Sequence, residues 1–211
     1  MKSNQEEPGN LLFPIFVKFN SLRVLLVGGG AVALEKLDAL IKGNPDLKLR
    51  IIAKELIASE IKDRLKIMPN TKLSIRKYEK QDLKNTDLVI VAANNDKLNH
   101  KIRKQCRKRN ILVNVADTPD LCDFYLGSII KKGDLKIAIS TNGKSPTLAK
   151  RMRQYLEEAI PDDIQFLMDN LRELRNQLKG DFEYKVDELN KVTESWLKTK
   201  SVKKKDSKKI E

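Results

Sequence analysis

Apolar positions along this chain alternate between short unbroken runs and helical spacings. LRVLLV at 22–27 is a near-continuous apolar run stopped by glycine, the pattern of a strand covered on both faces. Ala31–Lys42 follows, with Val32, Leu34, Leu37, Leu40 and Ile41 at helical spacing, until Asn44-Pro45 breaks it. LKLRIIA at 47–53 reads as a second strand, ELIASEIKDRLKI at 55–67 as a helix, and KLSIRKY at 72–78 alternates as a third strand. DLVIVAA at 87–93 is another buried strand, followed by a helix over Lys97–Lys108 and a strand ILVNVA at 111–116. Strands and helices joined by short connections predict a parallel sheet wrapped by helices on both faces and wound right-handed.

The pattern then changes. FYLGSIIKKGDLKIAIST at 124–141 holds two apolar segments joined by KKGD, a hairpin signal with glycine in the turn. Ser145-Pro146 opens a helix, serine as cap and proline at the first helical position. Pro161 and Asp162-Asp163 interrupt it near 160, and a charged amphipathic helical stretch runs on to about Lys198. Its stripe of Ile164, Leu167, Leu171, Leu174 and Leu178 predicts packing or a contact with a partner chain.

After the first strand, Gly28-Gly29-Gly30-Ala31-Val32-Ala33 matches G-x-G-x-x-A. In a dinucleotide-binding turn the first glycine permits the tight bend, the second leaves room for a pyrophosphate, and Ala33 lets helix and strand pack closely. The helix start adds free N–H groups and a positive dipole end. An acidic residue for the adenosine ribose normally ends the second strand, where this chain reads Ile52-Ala53-Lys54-Glu55. Glu55 either takes that task or opens the next helix, and Lys54 would favour a 2′-phosphate, so NADP stays beside NAD. Ala92-Ala93-Asn94-Asn95-Asp96 ends the fourth strand. Ala93 and Asn94 border the cofactor cleft there, unless Asn94 caps the helix, a task Asp96 serves equally well.

Composition narrows the function classes. Aromatic residues are 5% of the chain, which argues against a stacking surface for single-stranded nucleic acid. His100 is the one histidine, most simply an exposed helix residue, so a His-rich metal site is excluded. Cys106 and Cys122 have no CxxC spacing and read as unpaired thiols. MKSNQEEPGN has no signal-peptide core, and no apolar run reaches bilayer length, so the expectation is a cytoplasmic protein with no membrane partner. The formal charge is +13. From residue 198 onward seven lysines stand against Asp206 and Glu211, a composition expected to form a solvated tail. The remaining excess in the body would attract small polyanions or nucleic acid.

Four segments in order, FPIFVKFNSLRVLLVGGGAVALEK, VIVAANNDKLNHKI, ILVNVADTPDLCDFYLGSII and KIAISTNGKSPTLAKRMR, resemble the precorrin-2 dehydrogenase family, the amino-terminal module of siroheme synthase. The resemblance covers roughly residues 11–160. It implies NAD⁺-dependent oxidation of precorrin-2 to sirohydrochlorin in siroheme biosynthesis, in some members followed by Fe²⁺ insertion as sirohydrochlorin ferrochelatase. It also implies a homodimer with a Rossmann domain, a small dimerisation region and a helical carboxyl-terminal part, which the pattern places over 1–116, over 117–147 with the hairpin, and over 148–199; composition adds the Lys-rich tail over 200–211.

The family's key acid matches Asp117 of NVADTPD. Asp117 follows a parallel strand, where α/β enzymes place their chemistry, and the oxidation needs a base. An Asx turn is the plainer reading of Asp-Thr-Pro-Asp, and Asp120 and Asp123 read as turn or surface acids. Ser140-Thr141-Asn142-Gly143-Lys144-Ser145-Pro146 corresponds to the family's S-[TS]-G-G-x-S-P. It is either a cradle for the substrate's carboxylates or an ordinary hairpin-to-helix connection. Asn142 stands where the family usually has glycine, and Gly127 replaces a frequent proline before Ser128. Arg151 and Arg153 reach further carboxylates or are solvated. A competing reading, a Rossmann-fold nucleotide-sensing or nucleic-acid-binding regulator using the lysine tail, predicts salt-sensitive duplex binding and leaves NVADTPD and STNGKSP unexplained.

Overall fold

The structure is a computed structural model, and it describes residues 9–197, the side chains of 195–197 excepted. The lysine-rich tail lies outside the described residues. Five parallel strands, β1 (Arg23–Val27), β2 (Lys48–Ala53), β3 (Thr71–Ile75), β4 (Leu88–Val91) and β5 (Leu112–Val115), form one sheet in the order β3-β2-β1-β4-β5. The helices between them are α1 (Ala31–Gly43), α2 (Glu60–Leu65) and α3 (Asp96–Arg107). Connections leave β1 in one direction and return to β4 on its other side, so the strand order reverses between β1 and β4. That is where a doubly wound sheet opens a crevice at its carboxyl edge.

Two apolar layers hold the sheet. Val24, Leu26, Leu37, Leu40, Ile51 and Ile90 form one with α1 and α2, and Leu25, Val27, Val89, Ile102, Cys106 and Val113 form the other with α3. Adjacent residues of β1 point into opposite layers, which is why its run is apolar without alternation. The Arg50 guanidinium donates to the carbonyls of Asp82 and Lys84 and to the Thr86 hydroxyl. Arg76 grips the Asp82 carboxylate with two nitrogens, at 2.9 and 2.6 Å. β3 spans Thr71–Ile75 rather than reaching Tyr78; the Arg76 N–H still donates to the Ala53 carbonyl at 2.7 Å, while its guanidinium holds the 80–83 turn.

Helix α2 corrects the expected 55–67 helix. Residues 55–59 are not helical, and α2 spans Glu60–Leu65. The reason is tertiary: the Ile57 and Ala58 N–H groups both donate to the Gly29 carbonyl, at 2.9 and 3.0 Å. The glycine loop thus takes the Ala58 N–H that would close the first turn of a helix starting at Glu55, and the reading of Glu55 as a helix opener is overturned.

The chain divides into two compact units. The second groups Ser128–Ile139 with Thr147 onward, while Ser140–Pro146 returns to the first. Its hairpin pairs β6 (Ser128–Lys132) with β7 (Leu135–Ile139) in antiparallel register, turning at Gly133 with φ +57°. Helices α4 (Pro146–Ala159), α5 (Ile164–Gln177) and α6 (Phe182–Leu197) complete it. The Lys132 ammonium donates to the Ile160 carbonyl and the Asp162 carboxylate, tying hairpin to interhelix turn. The long stretch after 164 is two helices rather than one. The first ends at Gln177, with the Leu178 N–H on the Leu174 carbonyl; Gly180, at φ +145°, bends the connection beyond it, and the Asp181 carboxylate accepts from the Tyr184 N–H at 2.9 Å to begin the second.

Candidate active site

Three glycines follow β1, and each stands against different surroundings. A Cβ on Gly28 would lie 2.3 Å from the Ala92 carbonyl oxygen, and its φ of +142° excludes other residues. A Cβ on Gly29 would meet the Glu55 carbonyl oxygen at 2.3 Å. A Cβ on Gly30 would meet nothing within 4 Å. The first two glycines let β1, β4 and the 54–58 loop converge. The third opens onto free space at the first turn of α1, where N–H groups without helical partners gather. A diphosphate fits that description: room where a side chain would intrude, and donors facing the room. Ala31 and Val32 form the start of α1, and Ala33 is fully buried beneath it.

Glu55 and Lys54 are both exposed, just past the end of β2. Ala93 is half-buried and Asn94 exposed, past the end of β4. The cap of α3 is Asn95, whose side-chain oxygen accepts from the Leu98 N–H at 2.9 Å. Neither Asn94 nor Asp96 caps the helix, so both suggestions for the cap are corrected, and Asn94 carries no capping role.

Asp117 follows β5 in a left-handed conformation, φ +57°, which costs a non-glycine residue roughly 1 kcal/mol or more. Its carboxylate makes no hydrogen bond or ion pair among the described residues, so the turn that holds it is closed by the backbone, Thr118 N–H to Val115 carbonyl. Asp123 plays the structural part. Its carboxylate accepts from the Val113 N–H at 3.0 Å and pairs with Arg103. Asp120 is exposed in the short 119–121 turn.

Asp117 lines a small pocket of about 160 Å³ with Lys36, Asn114, Cys122, Tyr125 and Gly143 among others. Gly143 belongs to the STNGKSP loop, so two segments picked out separately in the sequence meet here. Asn142 adopts φ +53° and Gly143 φ +75°. Asparagine tolerates the left-handed region, so the departure from glycine leaves a tight turn in place. The Thr141 hydroxyl donates to the Ser145 carbonyl and accepts its N–H, and the Ser140 hydroxyl accepts from the Asn142 N–H. These hydroxyls shape the loop from within.

Lys36 escaped the sequence reading because helical periodicity assigned it only to α1. Its side chain is one-fifth exposed, beside a largely solvated Glu35 at 2.9 Å, and it sets a cation in the same pocket as Asp117. Cys122 is also in the wall. Its sulfur accepts from the Val115 N–H at 3.2 Å, and burial raises its pKa. Both cysteines are free thiols. Arg153 pairs with Glu157 on its own helix, and Arg151 is exposed. His100 is exposed on α3.

A parallel sheet with a glycine-lined opening at its strand reversal defines a Rossmann-type dinucleotide-binding protein. An NAD(P)-binding family model matches residues 15–128, and the model for the central region of sirohaem biosynthesis proteins matches residues 132–159. The chain belongs to this NAD(P)-binding family, and its resemblance to the siroheme synthase module holds. A siroheme synthase from Psychrobacter arcticus is 35% identical over 187 residues, covering 87% of this chain and 32% of that protein. Another, from Vesicomyosocius okutanii, is 36% identical over 171 residues, covering 80% and 35%. The chain thus spans about a third of the length of the curated relatives it matches. A solved structure titled SirC, precorrin-2 dehydrogenase, shares the fold, with a TM-score of 0.66 at 23% identity, covering 86% of this chain and 89% of that one. Among the described residues no helix is long and apolar enough to cross a membrane.

Proposed function

We propose that this chain is an NAD-dependent precorrin-2 dehydrogenase, converting precorrin-2 and NAD⁺ to sirohydrochlorin, NADH and a proton in siroheme biosynthesis. The observation that carries the reading is Asp117, an unpartnered carboxylate among the described residues, held on a left-handed backbone past β5 in a pocket shared with Lys36 and Gly143. When bound, the nicotinamide supplies a hydride acceptor. Gly28, Gly29, Gly30, Ala31 and Val32 would hold the diphosphate, with Ala33 packing the helix start beneath them; Ala93 and Asn94 would flank it, and Glu55 would accept from the adenosine ribose hydroxyls. Glu55 favours NAD over NADP, since a carboxylate there would repel a 2′-phosphate. Asp117 takes the proton that leaves the macrocycle as its hydride departs. The loop Ser140, Thr141, Asn142, Gly143, Lys144 and Ser145, together with Lys36, orients the carboxylates that fringe the substrate.

We further propose a homodimer in the reducing cytoplasm, a setting supported by the two free thiols. Residues 117–147 would serve dimerisation and 148–199 the helical domain. In the second unit, large apolar side chains such as Phe166, Tyr155 and Phe182 are more than 60% exposed, which a partner chain would cover. The test supplies precorrin-2 with NAD⁺ or NADP⁺, follows sirohydrochlorin formation, and then adds Fe²⁺ to look for a metallated product. Sedimentation at rising concentration gives the mass. No turnover with either nucleotide would reject the dehydrogenase, and a monomer at all concentrations would reject the dimer.

A further inference from the structure

A second cleft, of about 590 Å³, runs along α3 and shares no residue with the Asp117 pocket. Its walls carry Lys97, Lys101, Lys104 and Lys108, then Arg109, with Lys80 from the neighbouring 80–83 turn. The four lysines follow steps of four, three and four residues, one helix face, and their row spans about 16 Å at 1.5 Å rise per residue. The helix buries a different stripe, Asn99, Ile102 and Cys106, in the core.

Among the described residues none of these six cations pairs with a carboxylate, whereas Arg103 on the same helix is paired with Asp123. Like charges one turn apart oppose helix formation, so the row is a standing cost to this element. An anion that neutralises several of them at once relieves that cost and releases condensed counterions.

We propose that this cleft binds a linear phosphate polyanion, with inorganic polyphosphate as its ligand. Ammonium groups act as point charges and recognise phosphate without demanding planar geometry. A compact anion would meet one or two of the lysines, while a chain of phosphates follows the whole row. Nucleic acid would gain little from its bases: the cleft is lined by no aromatic residue other than His100, and the Gln105 amide oxygen already accepts from the Tyr78 hydroxyl at 2.8 Å. The recognition is therefore of backbone charge alone, and it does not depend on the reaction carried out elsewhere in the chain.

The experiment titrates fluorescent polyphosphate against the full chain by anisotropy at several salt concentrations. Lys101→Gln, Lys104→Gln and Lys108→Gln combined, all exposed positions, should weaken binding at least tenfold and make the slope of log K against log salt shallower by about three. The single Lys104→Glu should weaken it at least threefold. A companion variant with the seven lysines from 198 onward changed to Gln should stay within threefold of the parent, and NAD binding should be unchanged in all of them. Unaltered polyphosphate affinity in the helix variants, or its loss in the tail variant alone, would overturn the proposal. Equal or tighter binding of a single-stranded oligonucleotide of matched charge would overturn it in favour of nucleic acid.

Discussion

Arg23 and Asp87 are joined at four points: the Asp87 carboxylate accepts from the Arg23 backbone N–H, Nε and Nη2 at 2.9, 2.9 and 2.7 Å, and the Asp87 N–H donates to the Arg23 carbonyl at 2.9 Å. The pair ties the amino-terminal ends of β1 and β4, the two strands between which the strand order reverses. It fixes the register of the opening from the far edge of the sheet.

Asp87→Asn should therefore destabilise the fold by about 1 kcal/mol at pH 7, a modest figure because both side chains are partly solvated. The Arg23 hydrogen bonds hold the Asp87 carboxyl down to about 2. A depressed carboxyl stabilises the fold above its unfolded pKa, roughly 4, and that contribution disappears as pH falls towards 2. Denaturant titrations of parent and variant should show the gap present at pH 7 and closing between pH 4 and 2. A gap that does not change over that range would mean the carboxylate's charge contributes nothing.

The three glycines should separate stability from binding. Gly28→Ala places a methyl group against the Ala92 carbonyl on a backbone that alanine avoids, at a cost of about 2 kcal/mol or more. Gly29→Ala should cost about 1–3 kcal/mol through the Glu55 carbonyl. Gly30→Asp, facing open space, should leave the melting temperature within a few degrees yet abolish NAD binding measured by calorimetry. Retained affinity in Gly30→Asp would place the dinucleotide elsewhere.

Cys106 is fully buried, and burial is the main cause that lifts its pKa to about 11. At pH 8 the native thiolate should be rarer than that of a free cysteine by about two hundredfold. Iodoacetamide labelling followed by mass spectrometry should mark Cys106 slowly in native buffer and at an ordinary rate in denaturant. Rapid native labelling would show that the α3 layer opens.

The sheet was legible because buried parallel strands are marked by apolar runs, and β1 with its glycines announced both strand and cofactor turn. What the sequence hid depends on distant partners. The Gly29 carbonyl captures Ile57 and Ala58, so a segment with good helical periodicity stays extended until Glu60. Asn95 takes the cap over Asn94 and Asp96 because its own backbone is extended just before the first helical residue, which lets its side chain reach the Leu98 N–H. Lys36, Asn114 and Cys122 stand within the family-like segments, but nothing in their spacing marks them as site residues; the fold brings them, from α1, β5 and the turn after β5, into the wall of the Asp117 pocket. Gly180-Asp181 was readable as a glycine bend followed by a helix cap, but was passed over within a charged stretch.

Asp117 lends itself to a comparison that distinguishes a reacting carboxylate from a turn residue. Asparagine tolerates a left-handed φ as aspartate does, so Asp117→Asn should keep the melting temperature while reducing precorrin-2 oxidation at least a hundredfold. Asp117→Gly removes the backbone cost of the left-handed residue but adds chain entropy to the unfolded state, and the two should cancel to within about 1 kcal/mol. Both variants should bind NAD normally, since Asp117 follows β5 while the glycine opening follows β1. Loss of turnover with stability and NAD affinity preserved in both would mark the carboxylate as the proton acceptor. Turnover that survives in Asp117→Asn would reduce it to a turn residue and move the search for the base to the other side chains of that pocket.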